Sequence, residues 1–256
     1  MKNDTSNPFS LEGQLALITG GGTGLGLGIA QAFVAQGAQV VISGRREEVL
    51  RKAAANLGEA ADYRIHDVTE AASSSSLVDS IETDHGPISC LVNNAGNQIK
   101  KPTEELTDAE MLEVLNTHVL GAFSLTRTVA KRMLAGDGGS ILFTASMASL
   151  FGIPNITAYA AAKTAHLGMV RTMTTEWAAR GIRVNAIAPG WILTDLSRAS
   201  LDTDPERRDR ILARTPMGEF GDPLDIGWTA AFLASPAARF ITGICIPVDG
   251  GAAIGF

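Results

Sequence analysis

Short apolar runs alternate with longer stretches of helical period along this chain. "QLALIT", "AQVVIS", "ADYRI", "ISCLVN", "SILFTA", "IRVNAIA" and "GICIPV" read as strands. After the first, Leu25, Ile29, Ala32, Phe33 and Gln36 recur at spacings of three and four, the stripe of a helix facing a sheet, and Gly37 ends it. The same pattern predicts helices over Glu47–Leu57, Ser73–Thr83, Asp108–Leu134, Ala158–Arg180 and Asp222–Ala234. Strand and helix alternating in this way predict an α/β fold: a Rossmann-type, doubly wound, parallel seven-stranded sheet with helices on both faces. Residues 1–10 read as a polar tail and 11–256 as a single dinucleotide-binding catalytic domain. "ASSSS" at Ala72–Ser76 reads as the start of a solvated helix, and Thr194–Pro216 as the least regular segment, the place for a lid.

Two local patterns carry chemistry. In "LITGGGTGLGLGIA" a strand runs into a helix through Gly20, Gly22, Gly24 and Gly26, so that backbone can approach a pyrophosphate at the helix N-terminus. Further on, Tyr159 and Lys163 stand four apart on a helix, stacking their side chains at roughly 5–6 Å between Cβ atoms. A phenol with a free pKa of about 10 is a poor base near neutrality, and an adjacent ammonium is expected to favour the phenolate. Ser146 ends the fifth predicted strand, where its hydroxyl can meet a substrate carbonyl.

The spacing Thr19-Gly20-x-x-x-Gly24-x-Gly26, followed by "NNAG" at Asn93–Gly96, Ser146, "YAAAK" at Tyr159–Lys163 and "PG" at Pro189–Gly190, resembles the short-chain dehydrogenase/reductase family over nearly the whole chain. The resemblance implies that Tyr159 is the acid or base, that Lys163 lowers its pKa and binds the nicotinamide ribose, and that Ser146 orients the substrate. It places Thr23 and Leu25 in the nucleotide loop, Asp67 beside the adenine with Val68 giving backbone contacts, and Asn94, Ala95 and Gly96 close to the cofactor. Pro189, Gly190, Ile192 and Thr194 turn toward the nicotinamide and the phosphates.

At the second strand end, Ser43-Gly44-Arg45-Arg46 puts glycine where the family has an acidic residue, and a guanidinium fork follows. Arg45 and Arg46 favour NADP(H), with NAD(H) the alternative and a solvated helix start the plain reading. Residues from "MASLFGIPNITA" with Gln98, Asn155 and Trp191 are expected to meet the substrate; a sugar acid or small polyol is favoured, as in the gluconate 5-dehydrogenase branch, over a 3-oxoacyl thioester. Lys100 and Lys101 read as solvated loop lysines, or as an attraction for an acidic substrate.

His118 departs from the family's pattern, which has asparagine in an N-x-x-G stretch; there that residue stabilises a helix distortion, and its carbonyl holds a water linking the lysine to solvent. Three readings follow: structural substitution, participation in proton exchange at a free pKa of about 6.5, or a nucleotide-binding interaction protein without catalysis.

Lys and Arg number 21 against 27 Asp and Glu, a net charge of −6, which argues against nucleic acid. The expected partners are a small carbonyl or alcohol substrate and other copies of the chain in a homotetramer, since "ICIPVDGGAAIGF" has a composition better buried than exposed. Neither a signal peptide nor a run of about 18 apolar residues is read, so no membrane is expected. Cys90 and Cys245 within apolar runs point to a reducing compartment, the cytoplasm, and no residue is assigned to a metal.

Overall fold

A computed structural model describes residues 7–194, 198, 201 and 204–255. Seven parallel strands form one sheet in the order β3-β2-β1-β4-β5-β6-β7: β1 Leu15–Thr19, β2 Gln39–Gly44, β3 Ala61–Ile65, β4 Cys90–Asn93, β5 Gly139–Thr144, β6 Ile182–Pro189 and β7 Cys245–Val248. Every residue of β1 is buried, which is why this strand reads as an uninterrupted apolar run rather than an alternating one. The sheet has the predicted doubly wound Rossmann-type order.

Helices α1 Gly24–Ala35 and α2 Glu47–Leu57 cover one face, together with the last helix. Helices α3 Ser74–His85, α5 Ala122–Ala135 and α6 Thr157–Trp177 cover the other. Two apolar clusters result: Ile18, Ile29, Phe33, Ile42 and Leu142 on the first face, Leu17, Ile81, Leu125, Phe143 and Val184 on the second. Burying a side chain of this size contributes about 1.5–3 kcal/mol, so each face is held by its stripe rather than by surface ion pairs. At the N-terminal edge, Pro8 accepts a hydrogen bond from Ala237 N–H at 2.8 Å, and Phe9 tilts against Phe232 at 6.2 Å.

Two elements differ from the sequence expectation. The predicted helix Asp108–Leu134 is two helices, α4 Asp108–Leu115 and α5, joined by a π turn at Asn116–Gly121. Apolar spacing persists through a widened turn, so the pattern alone does not reveal it. The segment Thr194–Pro216 contains a ten-residue helix, α7 Pro205–Arg214, started by Asp204, whose carboxylate accepts from Arg207 N–H, and by proline in the first turn. Within the segment expected to be a lid, residues 195–197, 199–200 and 202–203 lie outside the described residues. Helix α8, Pro223–Ala234, follows, with Asp222 and Asp225 forming a capping box. It crosses α1 backbone to backbone, because a Cβ on Gly227 would stand 2.4 Å from the Gly28 carbonyl oxygen.

Candidate active site

Strand order reverses between β1 and β4, and at such a point the helices leave opposite faces and open a crevice beyond the carboxyl strand ends. A cavity of about 960 Å³ occupies it, toward the upper end of the roughly 300–1,000 Å³ usual for small-molecule sites. Asn94 ties the crevice floor together. Its side-chain amide donates to the carbonyls of Thr19 (3.0 Å) and Gly20 (3.3 Å), and its side-chain oxygen accepts from the Thr144 hydroxyl at 3.3 Å.

One end of the cavity is the glycine turn, where Gly20, Gly22, Thr23 and Leu25 line the wall. Gly24 and Gly26 are not on that wall; they shape it. Gly24 has φ +53°, and a Cβ on Gly26 would lie 2.2 Å from the Gly20 carbonyl oxygen, a distance no side chain tolerates. Ser43, Arg45 and Arg46 line the same end with Asp67 and Val68. Arg45 stands 3.9 Å from Asp67 with most of its side chain exposed. Burial tends to raise the Asp67 pKa, but the N–H and hydroxyl of Thr69, and then Arg45, hold it below the usual carboxylate value. Capping of the turn and lining of the crevice therefore coexist in Asp67.

The other end brings together Ser146, Tyr159, Lys163 and His118, with Ala95, Gly96, Pro189, Gly190, Ile192 and Thr194 between the two ends. Ser146 caps the turn after β5, its hydroxyl accepting from Ala148 N–H at 3.1 Å. Lys163 is buried, its ammonium 2.5 Å from the Thr144 carbonyl oxygen and 5.5 Å from the Tyr159 ring centroid. Burial pushes its pKa down to about 7. Burial also raises the Tyr159 pKa, with the Ser146 hydroxyl acting in the opposite direction. Desolvation thus penalises the charged forms of both Tyr159 and Lys163.

His118 lies in the π turn, 1% exposed. Its Nε2 is 2.8 Å from the Asn97 carbonyl oxygen and 3.1 Å from the Asn97 nitrogen, and its ring stands edge-on to Tyr159 at 5.4 Å. A Cβ on Gly96 would come within 2.3 Å of the imidazole, so the two positions are matched in size. Burial first, then the Lys163 charge, lowers the His118 pKa to about 3. A neutral imidazole bonded to main chain supports the structural reading of this residue and opposes proton exchange by its ring near neutrality.

Gln98 and Trp191 line the cavity, whereas Asn155 does not. Asn155 adopts φ +65°, and its carbonyl accepts from Lys101 N–H at 3.0 Å. The Lys101 ammonium pairs with Glu110 at 2.9 Å. Lys100 differs: burial first, and then the Arg207 guanidinium, lower its pKa. Arg207 in turn lies over the Trp191 ring at 5.9 Å. The sequence reading missed Asn97, Glu113, Thr117 and Thr144 among the lining residues. It also missed His166 behind them, although a histidine three residues after Lys163 in an apolar stripe was a visible signal.

A family model described as enoyl-(acyl carrier protein) reductase matches residues 20–253. Galactitol 2-dehydrogenase (L-tagatose-forming) of Cereibacter sphaeroides is 38% identical over 97% of this chain and 98% of its own length. The 3-oxoacyl-[acyl-carrier-protein] reductase of Salmonella typhimurium is 35% identical over 95% and 98%. Among solved structures, a gluconate 5-dehydrogenase from Burkholderia cenocepacia, in complex with NADP and tartrate, superposes with a TM-score of 0.92 at 36% identity, covering 97% of this chain and 98% of that one.

Proposed function

We propose, from the fact that this chain belongs to the short-chain dehydrogenase/reductase family of oxidoreductases, that it interconverts a carbonyl and a secondary alcohol on a sugar acid or small polyol with NADP(H). The observation that carries the reading is the convergence of Ser146, Tyr159 and Lys163 on one end of a crevice whose other end holds the glycine turn and Arg45.

The residues present fit such a cofactor. The close approach of Gly26 to the Gly20 carbonyl sets the turn in which backbone can meet a pyrophosphate. Arg45 offers a planar fork to a ribose 2′-phosphate, with Arg46 beside it and the unpartnered, buried Ser43 hydroxyl behind. Asp67 and Val68 flank the adenine; Asn94, Ala95 and Gly96 allow close approach; Pro189, Gly190, Ile192 and Thr194 take the nicotinamide end. Bound NADPH supplies the hydride. Tyr159, held as a neutral phenol, donates its proton to the carbonyl oxygen, Ser146 donates a hydrogen bond to the same oxygen, and Lys163 anchors the nicotinamide ribose.

For the substrate, Gln98 and Trp191 line the crevice, and the Trp191 indole N–H is buried without a hydrogen-bond partner. Both offer hydrogen bonds to the hydroxyls and carboxylate of a sugar acid. The Cereibacter and Burkholderia relatives support this class, and the Salmonella relative supports a 3-oxoacyl thioester as the second reading. Comparing kcat/KM for 5-ketogluconate and an acetoacetyl thioester with NADPH decides between them. Exposed Phe240, at 95%, and Ile254, at 85%, support assembly into a homotetramer; a monomer in sedimentation contradicts it.

A further inference from the structure

His166 is a buried titratable side chain that the chemistry above does not use. It follows Lys163 by three residues on α6 and is 2% exposed. Its Nε2 lies 2.8 Å from the main-chain carbonyl oxygen of His118. A carbonyl only accepts, so Nε2 carries the proton and donates. The ring tilts against Phe143 of β5 at 5.2 Å and stands 6.3 Å from the His118 ring. The titratable groups facing it are His118 on the π turn and Lys163 on its own helix, while β5 presents Phe143 and the Thr144 carbonyl.

The contact has a local cause. In a π turn the main-chain hydrogen bonds run between residues i and i+5, a wider spacing than in the flanking helices, and the buried His118 carbonyl in it takes a side-chain donor. His118 is consequently held at two points, its ring by the Asn97 main chain and its carbonyl by His166. Both holds bear on Tyr159, because the His118 ring is the surface that the phenol ring meets edge-on.

We propose that His166 is a positioning residue for the Tyr159 acid: its N–H fixes the His118 carbonyl, keeps the π turn open, and so keeps the His118 imidazole against the phenol. The inference rests on the proposed role of Tyr159. Burial and the Lys163 charge lower the His166 pKa to about 3, so the ring stays neutral and the contact persists throughout the pH range of an assay.

The test compares wild type, His166→Leu and His166→Gln in NADPH-dependent reduction of 5-ketogluconate, with NADPH affinity followed by fluorescence. Leucine keeps much of the volume but removes the donor; glutamine restores an N–H. His166→Leu is expected to lower kcat by about tenfold or more, with NADPH affinity changed by less than about twofold and the apparent pKa of the kcat/KM profile displaced. His166→Gln is expected to recover most of the turnover. Wild-type kinetics in His166→Leu, or an equal loss in both variants, overturns the proposal. Should His166→Leu fail to fold, nitrogen NMR of isotope-labelled histidine in the wild-type protein decides: the Nε2–H tautomer at His166 is expected, and the Nδ1–H tautomer overturns it. An inert wild type defeats the oxidoreductase reading instead, and is thereby distinguished from a failure of this one.

Discussion

The Lys163 side-chain nitrogen donates a hydrogen bond to the Thr144 carbonyl oxygen at 2.5 Å, on the strand end that also carries Ser146. Because Lys163 is buried there, its charge is costly, and the fold rather than a counter-ion sets its titration.

That arrangement predicts a pH-dependent stability for the ligand-free protein. Burial pushes the Lys163 pKa down to about 7 from the ordinary lysine value of 10.5. Between these values the unfolded chain binds the extra proton, so stability rises with pH, by about 1.4 kcal/mol per unit for one group. The window to examine runs from pH 7 to about 10, where tyrosine ionisation begins. Thermal or urea unfolding across it is expected to lose this slope in Lys163→Met. His118 and His166, both lowered to about 3 from 6.5, add a second window, in which stability falls as pH drops from 6.5 toward 3.

Much of this site was legible in the residues. The glycine turn, the strand-end positions Ser43, Asn94 and Ser146, and the Tyr159/Lys163 pair depend on local spacing, and local spacing survives folding. What was hidden depends on distant contacts or on small changes of pitch. The apolar spacing over Asp108–Leu134 reads as one helix, and the distortion at Asn116–Gly121 was signalled only by the resemblance at His118. The burial that raises the Tyr159 pKa comes from several elements, which local spacing does not report. Helix α7 did leave a mark, Asp204 followed by Pro205, within a segment whose polarity concealed it.

Cofactor choice is expected to depend on Arg45. Charge-assisted hydrogen bonds contribute about 1.5–3 kcal/mol, so Arg45→Ala is expected to lower kcat/KM for NADPH by roughly 10- to 100-fold. The value for NADH should change by less than about twofold, since Arg45 would meet only the 2′-phosphate. Steady-state kinetics with both cofactors checks this, and equal losses would show that Arg45 holds the turn rather than the phosphate.

The Gly26 contact is expected to tolerate no side chain. Gly26→Ala sets a Cβ 2.2 Å from the Gly20 carbonyl oxygen, so the turn must open. Loss of NADPH binding by at least about tenfold, measured by fluorescence titration on a variant with a native circular dichroism spectrum, is the expected outcome.

The central claim, that Tyr159 is the proton donor of a carbonyl reductase, is tested most directly by the initial rate of NADPH consumption with 5-ketogluconate in wild type and Tyr159→Phe. Saturable turnover in wild type, lower by about 10²- to 10⁴-fold in Tyr159→Phe at unchanged NADPH affinity, is the predicted result. Equal rates in the two proteins would contradict it.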